Sequence, residues 1–413
     1  MKGIIANPNI APYITQSVLA YQEAGSLEGF YTRFCYHHAH ALSTFMASLS
    51  LRIKRELKRR QVPELNPKLI RQSPFPELLR VFSARYAPAG LSDKLWEWSE
   101  LGFDHWVSGE LHAGLDFVHT YEHAALMTLQ TAKRLGILSI YEQPSQHHAF
   151  FDSIVKEQLR QYPELGDSTT RLLYDENAIR RNTRRDEELQ TADIILCNST
   201  FTRHTLEEAG VAGDKIICIP YGFPDALTAK PEKTRTRIRF LYAGNLSLRK
   251  GVHILLQAWK TAGLAEAELF LVGKYLLPDF FRQDLPENVH FIENLPQPEY
   301  FHILQQADAF ILPTLADGFG MVISEAISMG IPVITTTNSG GPDIIRPYQD
   351  GILIPPGDKE AIVQALTWCY NHPEKLQTMG INALKQAQAY PWSTYRKRLV
   401  SEVKGKVEDK VRR

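Results

Sequence analysis

Asp317 and Glu325 are separated by seven residues, and the segment Gly318-Phe319-Gly320-Met321-Val322 follows the first of them. An apolar run ending at Pro313 precedes this segment and a helical pattern follows it, so the glycines sit between a strand end and a helix start. Gly318 and Gly320 let a ligand approach the backbone closely. The free N–H groups from Phe319 to Val322, together with the helix dipole, favour an anion. Asp317 lies in the loop and Glu325 inside the helix, so the two carboxylates point at different parts of one extended ligand. A polyhydroxylated molecule carrying phosphates would satisfy the amides and the carboxylates at once. Taken alone, the segment suits equally a shaped turn followed by a surface glutamate. A second loop, Gly244-Asn245-Leu246-Ser247-Leu248-Arg249-Lys250-Gly251, also leaves a strand and opens a helix, and it brings two adjacent cations. Helix-terminal amides on one loop and cations on the other suit a diphosphate, each charge-assisted hydrogen bond being worth about 1.5–3 kcal/mol. The Gly-Lys-Ser/Thr order of a Walker loop is absent.

The elements that must hold these loops are short, nearly continuous apolar runs. Ile238–Ala243, Leu269–Val272, Val289–Ile292, Ala309–Leu312, Pro332–Thr335 and Gly351–Ile354 have the composition of strands buried on both faces. Helical patterns lie between them, and strand–helix alternation implies a parallel sheet with right-handed crossovers. The first half repeats the rhythm less cleanly, with a short first strand within 1–8 that ends in a turn, strands at 117–119, 138–141, 194–197 and 215–219, and a mostly helical stretch from about 28 to 100. A turn-rich, charged passage near 222–233 marks a hinge. The expected architecture is α/β, with two Rossmann-like doubly wound domains facing across a cleft. The N-terminal acceptor-binding domain spans 1–228 and the C-terminal domain 235–385, with a helix over 386–413 crossing back. Ligands in such sheets bind outside the carboxyl ends of the strands. The chain has 413 residues with 46 basic and 46 acidic side chains, a balance that excludes the field of a general nucleic-acid binder. It contains no apolar run of about 18 residues, and its four cysteines are scattered. The expected compartment is therefore cytoplasmic and reducing.

In the order and spacing of its motifs, the C-terminal half resembles the retaining glycosyltransferases of family four, glycosyl transferases group 1, which have the GT-B fold. The matching pieces are Gly244–Gly251, Leu271-Val272-Gly273, the Asp317–Glu325 segment, Gly330–Ile334, Gly340–Asp343 and Asp350–Asp358. Upstream, Ala192–Ser199 and Ile219–Gly222 continue the likeness. The resemblance implies a nucleotide-sugar donor, with Asp317 at the sugar hydroxyls, the amides of Phe319, Gly320, Met321 and Val322 nearby, and Glu325 at the ribose. Lys250 matches the family's diphosphate-binding lysine. The family's usual arginine after the first glycine is Asn245 here, and Arg249 takes over its charge. Gly244 lets the loop turn beneath the phosphates. Asp317 in place of a glutamate shortens the reach by one methylene. The implied reaction is metal-independent hexosyl transfer with retention, in which Arg249, Lys250 and the loop amides stabilise the departing diphosphate. No cofactor is implied beyond the donor substrate, and no Asp-x-Asp metal motif occurs in the chain.

The acceptor, a glycan, a lipid-linked acceptor or a small molecule in polysaccharide biosynthesis, is expected on the N-terminal domain. Candidates there are His119, which follows one strand, and Glu142 and His147, which follow the next. Glu142 stands near the place where the family often carries a functional histidine. Asn7-Pro8-Asn9 replaces the expected glycine pair and narrows the acceptor cleft. His37-His38-Ala39-His40 lacks a carboxylate or cysteine to complete a metal site. The basic run 52–60 on an amphipathic helix suits either a solvated face or peripheral contact with an anionic membrane. Trp392 is expected in the core. Two other functions fit the same motifs less fully: a GT-B sugar-nucleotide epimerase, and a catalytically silent protein that binds nucleotide sugars.

Overall fold

The structure is a computed structural model, which describes residues 1–37, 57, 60–86, 89–166, 176–228, 237–293 and 295–412. His38, His40 and all of the basic run except Leu57 and Arg60 lie outside the described residues, as does 229–236 of the hinge. Two parallel sheets organise the chain. In the first, β1 (Gly3–Ala6), β2 (Leu27–Thr32), β3 (Ile70–Gln72), β4 (Phe117–Tyr121), β5 (Leu138–Gln143), β6 (Ile194–Cys197) and β7 (Ile216–Cys218) are ordered 3-2-1-4-5-6-7. In the second, β8 (Ile238–Ala243), β9 (Ala267–Val272), β10 (Val289–Ile292), β11 (Ala309–Leu312), β12 (Val333–Thr336) and β13 (Gly351–Ile354) are ordered 10-9-8-11-12-13. Each order reverses beside its first strand, which creates a switch point where ligands bind.

The six-stranded sheet follows its apolar runs closely, because strands covered on both faces need unbroken hydrophobic sequence. Phe240, Leu241, Leu269, Leu271, Phe310 and Ile311 are all fully buried. The stretch from 28 to 100 differs from its expected helical character, since most of β2 and all of β3 fall inside it. Leu27-Glu28-Gly29-Phe30-Tyr31-Thr32 pairs with β1 in parallel. Ile70 and Arg71 then pair with Phe30 and Tyr31. A three-residue edge strand is too short to show a periodicity of its own.

Between the sheets the chain crosses twice, and the crossings pair. Phe223 N–H donates to Tyr390 O at 3.0 Å and Trp392 N–H to Phe223 O at 3.2 Å. A Cβ on Gly222 would lie 2.6 Å from the Trp392 Cα, so only glycine fits that approach. The last helix, Trp392–Arg412, lies against the first, Pro12–Glu23. Tyr395 Oη meets Ser17 Oγ at 3.1 Å, Arg396 pairs with Glu23 at 2.9 Å, and Lys410 pairs with Asp193 at 2.8 Å. Trp392 is half-buried and packs on Tyr221 and Tyr395.

A further contact joins the helix Val252–Ala262 to the helix His148–Gln161 of the first sheet. His253 Nε2–H donates to Gln158 Oε1 at 2.7 Å, and Tyr162 packs edge-on against the imidazole. The ring is fully buried, its Nδ1 has no partner, and burial pulls its pKa down to about 3. The native protein thus holds this histidine neutral, whereas the unfolded chain protonates it near 6.5. Stability is present in full above that value and falls as pH drops toward the native pKa. From pH 7 to 5 this one group is expected to cost about 2 kcal/mol. His123, pulled to about 4 by burial, adds to the same slope. Thermal melts between these pH values check it: His253→Gln should flatten the fall in Tm.

Candidate active site

Both loops singled out in the sequence leave the carboxyl ends of neighbouring strands, β8 and β11, and the backbone ties them together. Leu315 N–H donates to Arg249 O at 2.9 Å, and the Thr314 hydroxyl reaches the same carbonyl at 3.1 Å. Gly251, in left-handed conformation, sits so close to Pro313 that a Cβ would fall 2.0 Å from its carbonyl oxygen. Gly244 N–H donates to Val272 O at 2.9 Å, while Asn245 is exposed and its carbonyl accepts the Tyr242 hydroxyl at 2.7 Å. From the far side, Asn338 O accepts Asp317 N–H at 3.0 Å and Phe319 O accepts Gly340 N–H at 2.9 Å.

This bracing brings the three candidate catalytic side chains together. Lys250 Nζ contacts Asp317 Oδ2, and Arg249 Nη1 lies 3.3 Å from Asp317 Oδ1 and 3.1 Å from Ala316 O. Burial alone would push the Asp317 carboxyl up, yet the Lys250 and Arg249 cations hold it below the ordinary carboxylate range. Burial pulls the Lys250 ammonium below its ordinary value despite the neighbouring carboxylate. Gly320 takes left-handed φ and caps the helix Met321–Ser328, whose first amides belong to the anion-binding turn. Phe319 is buried, whereas Met321 and Val322 are half-buried.

Glu325 points elsewhere. Its Oε2 accepts the Tyr300 hydroxyl at 3.0 Å, and burial raises its pKa. Tyr300 belongs to the helix Gln297–Gln306, and sequence reasoning had no sign of it because the pairing spans two elements with no shared motif. Tyr300→Phe leaves the ring and frees the carboxylate, so nucleotide affinity should fall several-fold. Glu325→Ala should lower it by roughly 10- to 100-fold, the range of a lost hydrogen bond to a charged group. Titration calorimetry with a nucleoside diphosphate measures both.

The first sheet supports the donor loop directly. The Gly318 carbonyl accepts from the Ser199 hydroxyl, with Thr202 Oγ1 at 3.3 Å. A Cβ on Gly318 would lie 2.1 Å from Pro144 O and 2.8 Å from the Ser145 Cα. Thr200 N–H, at the start of the helix Thr200–Glu208, donates to Asp343 Oδ2 at 3.0 Å. Ser199 was visible only as part of the likeness upstream, without a role, because a contact across two domains has no sequence spacing to announce it.

Two acceptor-side expectations change. His119 and Glu142 do not line an open cleft but form a buried chain, exposed by 0% and 3%. His119 Nε2 meets Glu142 Oε2 at 3.0 Å and its Nδ1 meets Tyr21 Oη at 2.9 Å, while the Tyr221 hydroxyl donates to Glu142 Oε1 at 2.7 Å. Tyr221 in turn packs on Phe319 of the β11 loop, so Glu142 touches that loop only through Tyr221. These side chains point into a packed core because β4 and β5 are central strands covered by Tyr21, Tyr121 and Tyr221. His147 caps the helix His148–Gln161, its Nδ1 accepting Ala149 N–H at 3.2 Å. Its Nε2 lies 3.1 Å from Asp186, which His148 also approaches at 2.7 Å. These three residues are the one set among those described that offers three close metal-ligand atoms. A lone pair on Nδ1 toward Ala149 places the proton on Nε2, the atom a metal would need, so the geometry is that of a hydrogen-bonded cap. Glu122, just beyond β4, accepts from Ser145 Oγ at 2.9 Å and Arg185 Nη2 at 2.9 Å.

Several known proteins are similar to part or all of this chain. Residues 225–386 match the family model for glycosyl transferases group 1. The chain is 28% identical over 177 residues to the D-rhamnosyltransferase WbpZ of Pseudomonas aeruginosa, covering 39% of this chain and 44% of that protein. It is 27% identical over 192 residues to the putative colanic acid biosynthesis glycosyltransferase WcaL of Escherichia coli, covering 42% and 47%. The chain thus spans less than half the length of these relatives. In overall structure it is similar to Anabaena HepE crystallised with UDP-glucose, with TM-score 0.60, 15% identity, and 98% and 100% of the two chains covered. It is equally similar to the sucrose-phosphate synthase of Thermosynechococcus elongatus, with TM-score 0.60, 18% identity, and 98% and 99% covered. Residues 225–386 are therefore similar to the glycosyl transferases group 1 family, set within a chain that has the two-sheet GT-B fold.

Proposed function

We propose that the protein transfers a hexose from a nucleoside-diphosphate sugar to a hydroxyl of a glycan or lipid-linked acceptor, with retention at the anomeric carbon. The observation that carries this reading is the convergence of Arg249, Lys250 and Asp317 beneath the amides that open the helix Met321–Ser328. A diphosphate laid across these groups meets two cations and a helix N-terminus, while its sugar faces Asp317 and its ribose faces Glu325. As the glycosidic bond breaks, negative charge builds on the leaving phosphate, and preorganised cations and amides stabilise that charge more than the ground state. Neither Asp317 nor Glu142 is set up as a nucleophile: Asp317 is engaged by both cations, and Glu142, on the first sheet, is enclosed by Tyr221 and His119. The phosphate oxygen leaving on the donor's own face is then the base that takes the acceptor proton. UDP is the first nucleotide to test, since HepE was crystallised with UDP and with UDP-glucose. Among the described residues no helix is long and apolar enough to cross a membrane. Contact with a membrane face, at the cytoplasmic side, is proposed through the basic run ending at Arg60. That residue pairs with Glu77 on the helix Pro74–Tyr86, whose Phe75 is exposed.

The test is incubation with UDP-, GDP- and ADP-hexoses and a panel of glycan and lipid-linked acceptors. Release of nucleoside diphosphate with an α-linked product from an α-donor, read by NMR, is the expected outcome. A changed sugar still on its nucleotide would instead identify an epimerase.

A further inference from the structure

In the ligand-free protein the carboxylate that should meet the donor sugar is already occupied. Asp317 Oδ2 is engaged by Lys250 and Oδ1 by Arg249, so both cations assigned to the diphosphate are spent on a residue assigned to the sugar. The arrangement is held in place. Asp317 is fixed through its amide to Asn338, Arg249 through its side chain to Ala316 O and its carbonyl to Leu315, and Lys250 is only 13% exposed. With an aspartate at this position the carboxylate is short and stays against the cations.

Resting on the reading that these loops hold a nucleoside-diphosphate sugar, we propose that Asp317 is a diphosphate-operated gate as well as a sugar ligand. The three side chains carry a net single positive charge. A diphosphate brings two or more negative charges into the same space and competes with Asp317 for both Lys250 and Arg249. Once the phosphates hold the cations, the carboxylate is released and turns its oxygens to the sugar hydroxyls. A monophosphate has a single phosphoryl group and does not hold both cations at once, and a free sugar meets a carboxylate that is still paired. Sugar recognition therefore follows diphosphate recognition. Partly buried charge pairs are the setting in which such competition is strong.

The proposal makes an unusual demand on one variant. Asp317→Asn, which keeps size and removes charge, should bind a nucleoside diphosphate more tightly than the native protein, although it loses the sugar ligand. The probes are UDP, GDP and ADP with their monophosphates, titrated into native protein, Asp317→Asn and Lys250→Ala. Titrations are run at about pH 6, on the charged side of a buried lysine whose ordinary value is about 10.4. The expected result is a Kd for the preferred diphosphate at least about fivefold lower in Asp317→Asn, the equivalent of about 1 kcal/mol. The monophosphate should change little, and turnover should fall. Asp317→Ser, also uncharged, should move affinity the same way and guards against a folding artefact in the first variant. Unchanged or weaker diphosphate binding in both variants, with Lys250→Ala clearly weakened, overturns the gate and leaves the donor site standing. If the native protein binds no diphosphate, or Lys250→Ala binds as well as native, the donor-site reading itself is wrong and the gate falls with it.

Discussion

Gly318→Ala is expected to lower kcat/KM for transfer by about 100-fold while leaving the fold intact, the scale of a reacting group misplaced by about an ångström. The reason is steric. A methyl at this position would stand 2.1 Å from the Pro144 carbonyl oxygen and 2.8 Å from the Ser145 Cα, both backbone atoms of the other sheet's loop. Neither can swing aside as a side chain would, so the donor loop must back away from the first domain. The Gly318 carbonyl then loses Ser199 and Thr202, and Asp317, one residue earlier, shifts relative to Lys250. Gly318 is not among the glycines in left-handed conformation, so alanine is tolerated by its own backbone and only the contact is lost. Steady-state kinetics beside circular dichroism separate the two effects. Ser199→Ala removes one hydrogen bond from the same carbonyl and should give a much smaller loss. Equal losses in the two variants would show that the steric contact is not what places the loop.

Lys250→Ala is expected to reduce kcat by about 100- to 1,000-fold, the cost of removing one preorganised group facing transition-state charge. Its ammonium lies inside the site and already touches Asp317, so the variant removes the leaving group's nearest cation and leaves the carboxylate to Arg249 alone. Donor KM should rise as well, because the ground-state diphosphate also uses this charge. Arg249, whose side chain is 36% exposed, is softer, and Arg249→Ala should cost less. Rapid-quench measurement of the transfer step resolves chemistry from release. A Lys250→Ala enzyme with native single-turnover rate would remove the lysine from the leaving-group role.

How much of this was legible in the chain depends on how far apart the partners sit. The β8 and β11 loops were readable because each is a strand end, a glycine-bearing turn and a helix start in one short stretch, and that order carries its own geometry. The apolar runs of the second sheet were equally plain, since its central strands are covered on both faces. In the first domain, β3 was hidden by its length and β2 by Glu28 and Gly29, which interrupt its apolar pattern. His119 and Glu142 looked like cleft residues because they end strands. Their side chains are instead turned into a core of tyrosines, an orientation that strand position alone leaves open.

By itself the amino-acid sequence made the two loops and the frame that holds them legible, and with them the class of ligand proposed. Glycines, cations and carboxylates at fixed spacing dictate local backbone and charge, which are short-range properties. Only the tertiary structure decided that Asp317 rests on the cations, that Tyr300 aims Glu325, and that Gly318 is complete only against Pro144, Ser199 and Thr202. Each of these pairs residues from separate elements, brought together by packing of two sheets, and no spacing along the chain encodes a distance that packing sets. The proposed diphosphate site is written in the loops. The pairing of Asp317 with Lys250 and Arg249 is written in how the loops meet.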